Sequence, residues 1–135
     1  MLRKINHIGI AVQSLEATLP FYQDSLTMPF KGIEEVAEQK VKVAMLQVGE
    51  SKIELLEPTS ADSPIAKFLE KNGPGIHHVA YEVEDIAAAI ATLRDQGARM
   101  IDEVPRTGAH HTRIAFIHPK SSHGVLTELC QVCVE

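Results

Sequence analysis

Four residues stand out because their types recur in a paired pattern. His7 lies in INHIGIAV (5–12) and His78 in IHHVAYEV (76–83), and the two segments align with the histidines 71 positions apart. Glu54 lies in KIELLE (52–57) and Glu128 in LTELCQ (126–131), 74 positions apart. Imidazole and carboxylate together suit Zn, Co, Ni, Mn or Fe as divalent ions. Four protein ligands on an ion that accepts five or six leave open positions, as a catalytic site requires. A lone strand histidine is ordinarily a polar residue with its hydrogen bonds met. A glutamate between leucines ordinarily faces solvent from an alternating strand. These four differ in that the same pairing occurs twice, at offsets that differ by three residues and that one loop insertion absorbs.

The surrounding elements position them. Residues 4–12 read as a strand with Ile5, His7, Gly9 and Ala11 on one face and Asn6, Ile8, Ile10 and Val12 on the other. The second face packs under helices, and the first leaves room for a ligand. Ser14 caps a helix in which Leu15, Leu19, Tyr22 and Leu26 share a stripe, with Pro20 predicting an irregular turn or kink. Residues 36–48 and 51–57 read as a hairpin split at Gly49-Glu50. A linker, 58–75, holds a short helix with Ser63 as cap, Pro64 in its first turn and Asn72-Gly73 at its end. Then follow a strand at 76–83, a helix from Asp85 to before Gly97, and strands at 113–119 and 125–134. The chain therefore reads as an α+β domain, 1–135, of two tandem βαβββ modules, 1–57 and 76–135, joined by the linker.

Strand periodicity separates His78 from its neighbour. His78 shares a face with Ala80, as His7 does with Gly9 and Ala11, whereas His77 goes with Val79, Tyr81 and Val83 and reads as structural or interfacial. His110 and His111 fall in a loop, His118 at a strand end and His123 in a turn. Cys130 and Cys133 sit three apart on a strand and so face opposite ways, which suits small core residues rather than a shared metal or a redox pair.

Composition narrows the function classes. The chain has 135 residues, 44% hydrophobic and 23% charged, with 13 Lys+Arg against 18 Asp+Glu. Its mean hydropathy is −0.03 and its sequence pI 5.8. A net charge of −5 without a basic run argues against nucleic acid as a partner. No apolar run approaches the roughly 20 residues that span a bilayer. The N-terminal residues show no signal or transit segment, so a cytoplasmic location is expected and no membrane partner. Dinucleotide-binding, nucleophile-elbow and phosphate-loop motifs are all lacking.

NHIGIAV, IHHVAYEV, FYQDSL, KIELLEP and HPKSSHGVLTELCQ together resemble the vicinal-oxygen-chelate (glyoxalase/bleomycin resistance/dioxygenase) superfamily. The tracts from Ile76 to Ile86 and from His118 to Leu129 are similar to the methylmalonyl-CoA epimerases within it. The resemblance spans nearly the whole chain. It implies a half-open, barrel-like sheet around a metal site, with helices outside. It also implies one divalent ion (Co, Zn, Ni or Mn), held by His7, His78 and Glu128 with position 54 as the fourth ligand. An acyl-CoA substrate and a homodimer follow from the same resemblance. The implied reaction interconverts (R)- and (S)-methylmalonyl-CoA by removal and return of the α-proton through a metal-stabilised enolate.

Two departures bear on the bases. Some epimerases carry Gln where this chain has Glu54, and some carry a catalytic Glu on the preceding strand, where KVKVAML offers no carboxylate. Glyoxalase I, on the same fold, resembles this chain in having a glutamate in each half. Glu128 and Glu54 are therefore expected as the two bases, with Lys42 a lower-ranked proton donor. Lys120 and Arg113 are candidate phosphate contacts by charge alone. The alternatives are a glyoxalase I-type isomerase and a metal-free small-molecule or drug-binding module. Extradiol dioxygenases share the fold but use Fe(II) with two histidines and one carboxylate and are usually longer.

Overall fold

The structure, a computed structural model, describes residues 1–133. Its strands are β1 (Leu2–Ala11), β2 (Phe30–Val36), β3 (Val41–Val48), β4 (Ser51–Pro58), β5 (Gly75–Val83), β6 (Arg106–Thr107), β7 (Thr112–Ile117) and β8 (Thr127–Val132). Its α-helices are α1 (Leu15–Leu19), α2 (Pro64–Asn72) and α3 (Ile86–Asp95). The hydrogen-bonded strand order is β2-β3-β4-β1-β5-β8-β7-β6. This is the expected mixed α+β architecture. The expected strand end at Val134 lies outside the described residues.

The chain divides into two compact units, residues 7–77 and residues 1–6 with 78 onward. β1 contributes to both: its His7–Ala11 stretch pairs in parallel with β4, while Asn6 donates to Glu82 of β5 at 3.0 Å.

In the first unit, Val12, Leu15, Ala44, Leu46 and Leu55 form the core, with Ile10, Leu19 and Tyr22 packed against it. The second unit uses Val83, Ile86, Ala115, Ile117 and Leu129, joined by Ala89 and Ile90. The first four residues of one set lie 71 positions from their counterparts in the other, and Leu55 lies 74 from Leu129. The core therefore repeats with the same two offsets as the candidate ligands.

Helix starts repeat as well. Ser14 Oγ accepts from the Ala17 amide and Asp85 Oδ1 from the Ala88 amide, each at 3.1 Å. The first helical amides are held by strand residues: Leu15 donates to Glu57 Oε1 and Ile86 to Gln131 Oε1, each at 2.8 Å. Both acceptors stand three positions beyond a candidate ligand, Glu54 or Glu128.

Three local expectations change in detail. Pro20 opens a π-helical turn, Pro20–Ser25, directly after α1. A proline has no amide to continue the i→i−4 ladder, and the wider turn accommodates its ring. The stripe consequently ends at Tyr22, and Leu26 is exposed. The strand read as 36–48 is broken: Val36 ends β2, a 3-10 turn covers Ala37–Gln39, and Lys40 at φ 54 reverses the chain into β3. β2 itself was not anticipated before Val36, because FKGIEEV is charged and irregular, with its register shifting at Gly32. α2 matches its reading: Ser63 Oγ accepts from the Ile65 amide at 3.2 Å, and Gly73 closes the helix at φ 76.

Candidate functional site

In the first unit, Gly9 of β1 and Met45 of β3 stand opposite Glu54 in the register of β4. His7 is two residues before Gly9 and shares its face. His7 Nδ1 lies 3.3 Å from Glu54 Oε2. In the second unit, Ala80 of β5 and Phe116 of β7 stand opposite Glu128 of β8. His78 is two residues before Ala80, and its Nε2 lies 3.1 Å from Glu128 Oε1. All four side chains are buried: His7 is 4% exposed, Glu54 7%, His78 5% and Glu128 4%.

The register locates the three-residue difference between the offsets. Met45 and Phe116 are 71 apart, as are His7 and His78, so the insertion lies between Phe116 and Glu128, in the β7–β8 turn. A two-residue turn, Gly49-Glu50, does the same work in the first unit. Gly9 and Ala80 put almost no side-chain bulk beside either glutamate. Buried carboxylates are costly unless paired or coordinated. A carboxylate and an imidazole in contact in each unit form an N/O donor set that fits a divalent cation.

Elsewhere on the glutamate face, Lys52 of β4 stands opposite His7 and Gln47, and much of the remainder is apolar. On β3 it carries Val41, Val43 and Met45, all buried. No residue of this row can carry a proton. Lys42 is exposed on the opposite face of β3, which removes it as a donor beside Glu54. On β7–β8 the same face carries Ile114, Phe116 and Cys130, packed with Leu126. Arg113 belongs to the other face of β7, opposite Gln131.

Phe116 also braces His78, their rings meeting edge-on with centroids 5.4 Å apart. The Arg106 guanidinium lies over the Phe116 ring at 5.9 Å. Its Nε is 2.9 Å from Asp102 Oδ1, and Asp102 Oδ2 accepts the Phe116 amide at 2.9 Å. Sequence reading missed Phe116, Arg106 and Asp102. The available signal was the repeat: Phe116 falls 71 positions after Met45.

The other histidines separate from this group. His77 meets Phe68 of α2 edge-on at 5.0 Å, as a packing residue. His110 and His111 are exposed loop residues at φ 59 and 57. His118 Nδ1 accepts the Lys120 amide at 3.1 Å. Desolvation, then Arg99 and Lys120, hold its pKa below the usual imidazole value. His123 adopts φ 59 in the β7–β8 turn. Cys130 is fully buried and Cys133 half-buried, and neither is in a disulfide.

The family model for the glyoxalase/bleomycin resistance protein/dioxygenase superfamily matches residues 6–116. The chain belongs to this superfamily. Among superfamily relatives, it is 43% identical to the ethylmalonyl-CoA/methylmalonyl-CoA epimerase of Cereibacter sphaeroides, over 98% of this chain and 100% of that one. A solved methylmalonyl-CoA epimerase in complex with methylmalonyl-CoA and NH4+ superposes with a TM-score of 0.95. It is 43% identical and the match covers 99% of this chain and 97% of that one. The lactoylglutathione lyase of Haemophilus influenzae is more distant, at 27% identity over 90% of this chain and 89% of that one. Among the described residues, no helix is long and apolar enough to cross a membrane.

Proposed function

We propose that this chain is a metal-dependent epimerase that interconverts (R)- and (S)-methylmalonyl-CoA. The observation that carries the reading is the doubled register, one buried His–Glu pair in each unit at 3.3 and 3.1 Å. Epimerase relatives at 43% identity across the whole chain support the choice of substrate.

In this proposal His7, Glu54, His78 and Glu128 hold one divalent ion. Support comes from the imidazole and carboxylate donors, which suit such an ion, and from the superfamily match over residues 6–116. A bound ion supplies Lewis-acid stabilisation of the negative charge that develops on the thioester oxygen. The histidines orient it, and the apolar residues beside each glutamate, Val43 and Met45 in the first unit and Ile114 and Phe116 in the second, limit bulk water there.

The chain's own carboxylates move the proton. Glu128 as carboxylate takes the proton from C2, and the C–H electron pair delocalises into the thioester carbonyl. Glu54, entering as the carboxylic acid, gives its proton to the opposite face of C2. The glutamates end with protonation states exchanged, and exchange with solvent resets them. Glu54 takes this role because the β3 row beside it, Val41, Val43 and Met45, has no acid or base.

The test is deuterium entry at C2 from D2O. Glu128→Gln is expected to abolish it in the epimer whose C2 proton faces Glu128 and to leave it in the other, where Glu54 is the base. Exchange at the wild-type rate in both epimers with that variant would remove Glu128 as the base. A glutamate in each half also favours glyoxalase I-type chemistry as a second reading. Parallel assays with methylmalonyl-CoA and the methylglyoxal–glutathione hemithioacetal decide between them: the epimerase reading requires turnover of the first and fails if only the second reacts. Loss of turnover on metal chelation separates either enzyme from a metal-free binder.

A further inference from the structure

Arg106 lies over the Phe116 ring that meets His78, and the mechanism above gives it no task. It stands on β6 opposite Ile114, the residue two before Phe116 on the glutamate face of β7. Asp102 takes its Nε at 2.9 Å and its Nη2 at 3.4 Å. The guanidinium lies over the Phe116 ring at 5.9 Å, and that ring meets His78 edge-on. Asp102 is itself fixed, because it accepts the Phe116 amide. The guanidinium is thus set in a defined orientation relative to the pair, yet its side chain remains 42% exposed. Arginine offers five donors in a rigid fork. Asp102 engages Nε and Nη2, and the guanidinium fork has further donors suited to a planar or tetrahedral oxyanion.

A structural salt bridge alone does not explain the placement. Exposed ion pairs contribute little, and nothing in such a role calls for the guanidinium to sit over the ring that braces His78. In a chain of net charge −5, a cation oriented in this way is what an anionic substrate needs for capture. We propose that Arg106 is a substrate-recognition residue that binds an oxyanion of the acyl-CoA, a nucleotide phosphate or the acyl carboxylate. The inference rests on the proposed function and deepens it.

The test uses wild type, R106Q and R106K with methylmalonyl-CoA and with methylmalonyl-pantetheine, which lacks the phosphates. R106Q is expected to raise KM about tenfold with kcat within twofold, as loss of one charge-assisted contact predicts. R106K, keeping the charge without the fork, is expected to recover part of it. A rise confined to the CoA thioester assigns the oxyanion to a phosphate, and a rise with both substrates assigns it to the acyl carboxylate. Unchanged KM for both substrates overturns the proposal. So does a fall in kcat alone, which would make Arg106 a prop for Phe116. If wild type turns over neither substrate, the epimerase reading fails separately. Calorimetric titration with CoA and with methylmalonate then tests Arg106 directly: weaker binding of either to R106Q sustains it, and equal binding of both overturns it.

Discussion

The two units carry the same chemical pair on the same register but brace it differently. In the first, Glu54 lies between Gly9 and Met45, and His7 reaches it through Nδ1. In the second, Glu128 lies between Ala80 and Phe116, and His78 reaches it through Nε2. Met45 is a flexible thioether that fills space. Phe116 is a rigid ring in contact with both His78 and Arg106. The shared register repeats in both halves, and the second is the more rigidly braced, which suits the role proposed for Glu128.

The strongest challenge to this comparison is a paired substitution of the glutamates. Glu128→Gln is expected to lower epimerisation by at least about a thousandfold, the scale of a lost general base. Glu54→Gln is expected to leave deuterium entry in one epimer while blocking inversion, read by chiral product analysis against exchange. Equal loss of both signals in both variants would make the halves equivalent.

Next in size is the brace. Phe116→Leu is expected to cost about tenfold in metal affinity, on the scale of a removed supporting contact, while Met45→Leu leaves affinity unchanged. Titration of the apo proteins with Zn or Co, followed by competition with a chelator, measures both. A smaller effect is expected at the helix starts. Gln131→Ala and Glu57→Ala should each lower stability by about 1 kcal/mol, as loss of a cap-type hydrogen bond does, read by urea unfolding.

The smallest effect is confined to the first unit. Asp62, on the surface, pairs with Lys40 and Ser60, and these contacts bring its pKa from 3.8 down to about 2. A folded pKa below the unfolded one gives stability that is present above pH 3.8 and is lost as pH falls through about 2. Asp62→Asn should remove that acid-side dependence, as a slight flattening of Tm between pH 5 and 2, without altering the second unit.

Much of the site was readable because a repeat is visible without a structure. His7, His78, Glu54 and Glu128 are fixed by offset and strand face, and Ser14, Ser63 and Asp85 announce their helices by cap chemistry. β2 was hidden because its charged residues and the bulge at Gly32 break the period-two pattern. Arg106 and Asp102 were hidden for a different reason. They lie in an irregular stretch, and their relation to His78 exists only through the β6–β7 register and the Phe116 ring. No local pattern encodes contacts of that kind.

The helix starts held by Glu57 and Gln131 have a mechanical consequence. In each unit the histidine strand runs into a helix whose first amide is tied to the glutamate strand, three residues beyond the ligand. Histidine, helix start and glutamate thus form a closed linkage, so fraying of the helix and loosening of the ligand pair become one motion. If the proposed ligand set holds a metal, the amide protons of Leu15 and Ile86 are natural gauges of its loading, each reporting on its own half.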